Sequence, residues 1–103
     1  MKATYGFRAT MTAHHGKGDE LVDLLLSATT SDDCVLYLVG RSASNRDVVH
    51  VTEGWTTKEA HAENFASERA RAFVARIAPL VTDGGRYEDE VPVGGKLRDG
   101  GTP

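Results

Sequence analysis

Cysteine is nearly absent from this chain of 103 residues, in which Cys34 is the only one. A single cysteine excludes an internal disulfide framework and cysteine-based zinc sites. Long hydrophobic runs are also missing, since no apolar stretch approaches the roughly 20 residues that span a bilayer. The first residues alternate polar and apolar side chains and lack the apolar core of a signal peptide. We therefore expect a cytoplasmic protein that does not bind a membrane.

Clustered positive charge and metal-binding spacings are missing too. The chain has 12 Lys and Arg against 15 Asp and Glu, a formal net charge of −3, with no basic run. Phosphate contacts need clustered positive charge, so the composition argues against nucleic-acid binding. His14 and His15 are adjacent, and no His-x-His or His-x-x-x-His pattern is found. Adjacent side chains of an extended segment point to opposite sides, so we predict no metal site.

The length of the chain fits one domain. We assign residues 1–93 to this domain, and we expect residues 94–103, rich in Gly and charge, to form a flexible tail. A domain of this size buries only roughly two-thirds of its unfolded surface. Because such a core is thin, we expect the protein to be a homodimer.

Hydrophobic periodicity predicts the element order β-α-β-β-α-β, with the second helix in two pieces. Alternating or continuous apolar residues indicate strands, and apolar residues at i, i+3, i+4 and i+7 indicate helices. Thr56 and Glu59 match a capping box at the start of the second helix, and we expect Pro79 to end or kink that helix. The predicted strands are 2–12, 34–41, 47–55 and 86–93, and the predicted helices are 19–28, 57–66 and 67–78.

This order is typical of the ferredoxin-like fold of the α+β class. In that fold a single antiparallel sheet carries both helices on one face, and the two middle strands form a hairpin. Apolar residues also lie on the other face of the predicted sheet. A second copy of the sheet is the cover that we expect there.

Several segments resemble the antibiotic biosynthesis monooxygenase family. Its usual pattern is a strand with Glu-x-Trp, a capped helix with Glu-Ala, and a His or Asn further along. Here these are Val-Thr-Glu-Gly-Trp at 51–55, Thr-Thr-Lys-Glu-Ala at 56–60, and Asn-Phe at 64–65. The stretch 13–21 is similar to the Gly-Lys opening of the family's first helix, and 34–37 is similar to its second strand.

The resemblance implies a dimeric α+β barrel and an enzyme that needs no cofactor. Members of the family oxidise phenolic polyketides or quinols with dioxygen, without metal, flavin or haem. An electron-rich phenolate can reduce oxygen itself, so the protein has to bind the substrate, deprotonate it and exclude water. Such a site needs an aromatic-lined pocket, a few hydrogen-bonding groups and a base.

Three residues are candidates for the catalytic wall of this site. Trp55 either packs in the core or lines the pocket, where its indole N–H would donate to a substrate carbonyl. Asn64 either orients a substrate hydroxyl or only caps the helix and keeps its surface polar. His61 lies on the same helix face as Asn64 and titrates near neutrality, so it is the candidate base, the alternative being an uninvolved half-buried histidine.

Four further residues are candidates for substrate contacts. Tyr37 and Phe65 would line the pocket, the alternative being ordinary core packing. Arg71 and Arg86 would stabilise an oxyanion, the alternative being exposed arginines without such a role. His50 is predicted to project from the sheet opposite to Trp55.

Two departures from the family pattern bear on the activity. Residues 48–51 lack the Asn that polyketide-oxidising members carry before the Trp, and residues 2–12 lack the Asn that haem-degrading relatives need. We therefore expect no haem. The leading hypothesis is a cofactor-independent monooxygenase acting on a small aromatic, quinol or polyketide-type substrate. The alternatives are a non-catalytic small-molecule-binding or stress-related dimer and a small hydroxyketone isomerase.

Overall fold

Four strands and three α-helices follow one another in the computed structural model, which describes residues 2–96. The predicted tail lies mostly in residues 97–103, outside the described part. A short 3₁₀ turn, Ala78–Leu80, follows the last helix. The strands are β1 (Tyr5–Thr12), β2 (Cys34–Arg41), β3 (Val48–Trp55) and β4 (Arg86–Glu90), and the helices are α1 (Gly18–Leu26), α2 (Lys58–Phe65) and α3 (Glu68–Ile77).

The four strands form one antiparallel sheet in the order β2-β3-β1-β4. The long strands β1 and β3 pair over their whole length, from Tyr5 opposite Trp55 to Thr12 opposite Val48. β2 and β3 form the expected hairpin, and β4 adds to the other edge of β1. This is the ferredoxin-like arrangement that the element order predicts, and the prediction is confirmed.

The core lies between α1 and one face of the central strands. Alternation in β1 and β3 places Ala9, Met11, Val49 and Val51 on this face, and each is at most 7% exposed. Leu21 of α1 packs against them with no exposed surface, together with Leu24 and Leu25. The apolar stripe of α1 and the alternation of the strands thus bury the same cluster.

The start of β3 differs from the prediction, because Asp47 contacts the start of α1. Asp47 is not the first residue of β3; its carboxylate accepts hydrogen bonds from the N–H groups of Gly16 (3.2 Å) and Gly18 (2.9 Å). A carboxylate near a helix N-terminus satisfies donors that have no partner within the helix. Gly18 also lies so close to Arg46 that a Cβ would collide with the Arg46 carbonyl oxygen.

The start of α2 corrects the predicted capping box. Thr57, not Thr56, is the N-cap, and its Oγ1 accepts a hydrogen bond of 3.0 Å from the N–H of Ala60. The Thr56 hydroxyl instead donates a hydrogen bond of 2.7 Å to Oδ1 of Asp33. Glu59 is therefore at the second helical position, where it cannot close the box. The predicted division into two helices is confirmed, and Ser67 caps α3.

The sheet face opposite the helices is open in the single chain. Arg8 and Glu90 form an ion pair of 2.8 Å across it, and His50 bonds to Thr10 at 3.1 Å. His50 therefore projects away from Trp55, as expected. Leu38 is 58% exposed on β2, so this strand is covered on one side only. Within residues 2–96, no helix is long and apolar enough to cross a membrane.

Candidate active site

A cavity of about 400 Å³ lies between the sheet and the helices α2 and α3. This volume is within the range of small-molecule sites. Its walls are mainly apolar and aromatic. The sheet contributes Phe7, Ala9, Met11, Tyr37, Val51, Glu53 and Tyr87, and the helices contribute His61, Asn64, Phe65, Arg69, Phe73, Val74, Arg76 and Ile77.

Helix α2 brings three of the predicted site residues together. His61, Asn64 and Phe65 stand at i, i+3 and i+4, so they share one side of the helix. All three line the cavity, as does Tyr37 from β2. The spacing in the sequence and the structure thus agree that His61, Asn64 and Phe65 lie on one side of α2.

His61 lies inside a cluster of aromatic rings. Its ring centroid is 4.9 Å from Phe7, 5.2 Å from Tyr5, 5.3 Å from Trp55 and 6.1 Å from Phe65. Burial among these rings lowers the pKa of the imidazole, and the charge of Asp89 opposes this in part. Among the described residues, no side chain or backbone group hydrogen-bonds to its ring nitrogens. A neutral imidazole in this position is able to accept a proton.

Trp55 does not line the cavity. It is 1% exposed, and its indole N–H donates a hydrogen bond of 2.7 Å to Oε1 of Glu53. The N–H that would donate to a substrate carbonyl is therefore already bound within the protein. Of the two interpretations of Trp55, the geometry favours packing at the junction of sheet and helix.

Glu53 also lines the cavity and is not among the predicted site residues. Alternation in β3 places it on the same face as Val51 and Trp55, which is the signal that identifies it. Desolvation raises the pKa of the Glu53 carboxyl, and the hydrogen bond from Trp55 opposes this in part. It is the one acidic side chain among the described residues that line the cavity.

The raised pKa of Glu53 predicts a pH dependence of stability. The native state holds this proton above the ordinary pKa of 4.5, where the unfolded state releases it. The unfolding free energy of the wild type should therefore fall relative to that of Glu53→Gln as pH rises from 4.5 through the raised pKa. Glutamine retains an acceptor for the Trp55 N–H. Urea unfolding of both proteins across this range measures the difference, and a difference independent of pH would contradict the prediction.

Tyr37 and Phe65 occupy different depths of the cavity. The Tyr37 hydroxyl donates to the carbonyl oxygen of Leu25 at 2.8 Å, and burial raises its pKa to about 12. Its proton is therefore held at neutral pH, and Tyr37 serves as a wall. Phe65 is 58% exposed and stands at the mouth.

The two predicted oxyanion-binding arginines lie elsewhere. Arg86 stands opposite Thr10 on β1, which places it on the open face of the sheet. Arg71 is exposed on α3 and does not line the cavity. Arg69, two residues earlier, lines it and donates a hydrogen bond of 3.2 Å to Oδ1 of Asn64. The helix turns by about 100° per residue, so positions 69 and 71 lie on opposite sides.

Cys34 is a half-buried thiol at the start of β2. Its Sγ lies 3.4 Å from the carbonyl oxygen of Leu36, and burial raises its pKa. A thiol with a raised pKa is a poor nucleophile. In the described part of the chain, no group of three or more His, Cys, Asp or Glu side chains is placed to hold a metal ion.

A four-stranded antiparallel sheet with an open cavity between one of its faces and two capped helices defines a domain of the ferredoxin-like α+β class. The model of the antibiotic biosynthesis monooxygenase family matches residues 4–76, and the chain belongs to this family. A search of curated proteins finds no match.

Solved structures show the same fold over most of the chain. A candidate antibiotic biosynthesis monooxygenase from Chloroflexus aurantiacus is 28% identical, with a TM-score of 0.82 over 92% of this chain and 98% of that one. A candidate of the same family from Caulobacter crescentus is 20% identical, with a TM-score of 0.77 over 90% and 92%. A Bacteroides thetaiotaomicron protein of unknown function, described as a possible oxidoreductase, is 16% identical, with a TM-score of 0.72 over 88% and 99%.

Proposed function

We propose that this protein is a cofactor-independent monooxygenase that oxidises a small aromatic, quinol or polyketide-type substrate with dioxygen. The observation that carries the proposal is His61, whose imidazole lies at the wall of a cavity of about 400 Å³ among aromatic rings. Membership of the antibiotic biosynthesis monooxygenase family supports the same reaction class.

The proposed reaction uses the substrate as the source of all electrons. His61 accepts the phenolic proton. The resulting phenolate carries part of its negative charge on carbon, and this carbon transfers electrons to dioxygen and forms a carbon-bound peroxide. Cleavage of the O–O bond leaves one oxygen atom on carbon as a carbonyl. The other oxygen leaves as water with two hydrogens of the substrate. A quinol CH group or an anthrone CH₂ group thus gives a quinone without an external reductant.

The other cavity residues have positioning roles in this proposal. The Asn64 amide holds a substrate oxygen, while Tyr37 and Phe65 contact the ring faces. A substrate bound against the apolar walls displaces water, which strengthens each polar contact and protects the intermediate. Trp55 packs edge-on against the His61 ring, with the two ring centroids 5.3 Å apart, and so holds His61 at the cavity wall.

The proposal includes a homodimer of a single domain, residues 1–93. The open sheet face carries the exposed Leu38, and a second depression is lined by Leu36, Val91 and Pro92. A small domain buries a smaller fraction of its surface on folding than a large one does, so covering this face would add to a thin core. A second copy on this face would complete the core while leaving the cavity on the helix side.

Oxygen uptake tests the proposal directly. The purified protein is mixed with anthrone and with reduced naphthoquinones in an oxygen electrode, and parallel reactions are run without oxygen. We expect one dioxygen consumed per product formed and no turnover under anaerobic conditions. No uptake across the panel would overturn the proposal. Binding without uptake would indicate a non-catalytic ligand-binding protein, and oxygen-independent conversion of a hydroxyketone would indicate an isomerase.

A further inference from the structure

Helix α3 turns two arginines toward the cavity. Arg69, Phe73 and Arg76 stand at i, i+4 and i+7, which places them along one side of the helix. All three line the cavity. On the helix wall of the cavity, Phe73 thus lies between Arg69, which precedes it on α3, and Arg76, which follows it.

These arginines differ from several others in having no carboxylate partner. Within residues 2–96, Arg8, Arg41 and Arg46 each form an ion pair with a carboxylate, whereas Arg69 and Arg76 form none. Arg69 donates one hydrogen bond, to Asn64, at 3.2 Å. A guanidinium carries five N–H donors, so most of the donors of this pair remain available to a ligand.

The negative charge of the cavity is confined to its sheet side. Glu53 is held on β3 by the hydrogen bond from Trp55, at 2.7 Å. Desolvation raises the pKa of the Glu53 carboxyl, which reduces its charge at a given pH. The chain has a net charge of −3. The helix wall of the cavity is nevertheless positive, because the described residues that form it include Arg69 and Arg76 and no carboxylate.

We infer that the ligand of this cavity is an aromatic acid, whose carboxylate binds Arg69 and Arg76 while its hydroxylated ring lies beside His61. Guanidinium groups match the geometry of carboxylates and bind them through paired hydrogen bonds. The inference rests on the proposed function, because the same cavity is the substrate site. It narrows the substrate class from any small aromatic to one that carries an acidic group.

Calorimetric titration with two matched probes tests this inference. The probes are 1-hydroxy-2-naphthoate and 1-naphthol, which share a hydroxylated ring system and differ by the carboxylate. We expect the acid to bind more tightly by about fivefold or more, the effect of an ion pair worth about 1 kcal/mol. The preference should decrease with added salt, because salt screens the attraction between exposed charges.

Substitutions within α3 assign the preference to particular residues. Arg69→Gln and Arg76→Gln should each weaken binding of the acid by about fivefold. Arg76→Gln should leave binding of 1-naphthol unchanged, because Arg76, unlike Arg69, has no hydrogen bond to Asn64 within residues 2–96. Arg71→Gln is the matched control, since it removes the same charge from the same helix outside the cavity. Circular dichroism checks that each variant is folded.

The outcomes separate this inference from the proposed monooxygenase activity. Equal binding of both probes, or an equal loss in Arg71→Gln and Arg69→Gln, overturns the inference. Oxygen uptake with a neutral quinol would then still support the proposed function. Failure of both probes to bind also overturns the inference, and absence of oxygen uptake overturns the proposed function separately.

Discussion

Replacing His61 by alanine is expected to lower kcat for oxygenation by about 10²–10⁴-fold, the usual contribution of a positioned base. His61 is the one histidine among the described residues that line the cavity. Burial lowers its pKa, so the imidazole is neutral at neutral pH. The wild-type rate should therefore fall only when pH drops below the ordinary histidine pKa of 6.5 toward the lowered value. Oxygen uptake at saturating substrate across this range measures both effects.

His15→Ala is the control for this substitution. His15 is exposed in the loop between β1 and α1, and its replacement should leave kcat and its pH dependence unchanged. Asn64→Ala should weaken substrate binding as well as turnover, because its proposed role is to hold a substrate oxygen. A His61→Ala protein that is folded by circular dichroism and keeps the wild-type rate would eliminate His61 as the base.

Replacing Trp55 by alanine is expected to lower the free energy of unfolding by about 3–5 kcal/mol, as for other buried large aromatic residues. Trp55 is 1% exposed and contacts His61 edge-on. Its removal leaves a void and takes away the N–H donor that binds the Glu53 carboxyl. Urea unfolding followed by far-UV circular dichroism measures the change.

Phe65→Ala is the matched control for stability, because it removes another aromatic ring that contacts His61. Phe65 is 58% exposed, so its loss should change the unfolding free energy by less than about 1 kcal/mol. Equal losses in the two variants would show that Trp55 does not anchor the wall of the cavity.

The strands and helices could be predicted because their apolar periods are regular. Element boundaries depend on contacts between distant residues, which periodicity does not reveal. Asp47 directly precedes the apolar positions of β3 and is therefore included in the predicted strand, yet its carboxylate accepts hydrogen bonds from N–H groups at the start of α1. Thr56 and Thr57 are equally good caps by type, and Asp33 decides between them by binding Thr56.

The site could be predicted in part, for a related physical reason. His61 and Asn64 lie on one short helix, where spacing alone places them on the same side. Arg71 and Arg69 are both exposed residues of α3, and only the rotation of that helix against the sheet distinguishes them. Glu53 was recognisable by alternation, since a carboxylate on the core face of a strand must meet a donor or a cavity.

The helices that cover the cavity are held more weakly than the sheet beneath it. None of the residues of α2 or α3 is buried, whereas α1 and the central strands contain the core. Segments with little buried surface open locally at a lower free energy than global unfolding requires. The aromatic rings of α2 can therefore separate from β1 while the strands remain paired. Such transient opening would give a flat aromatic substrate a route into the cavity. When α2 closes again, His61 would lie beside the hydroxylated ring of that substrate, as the proposed function requires.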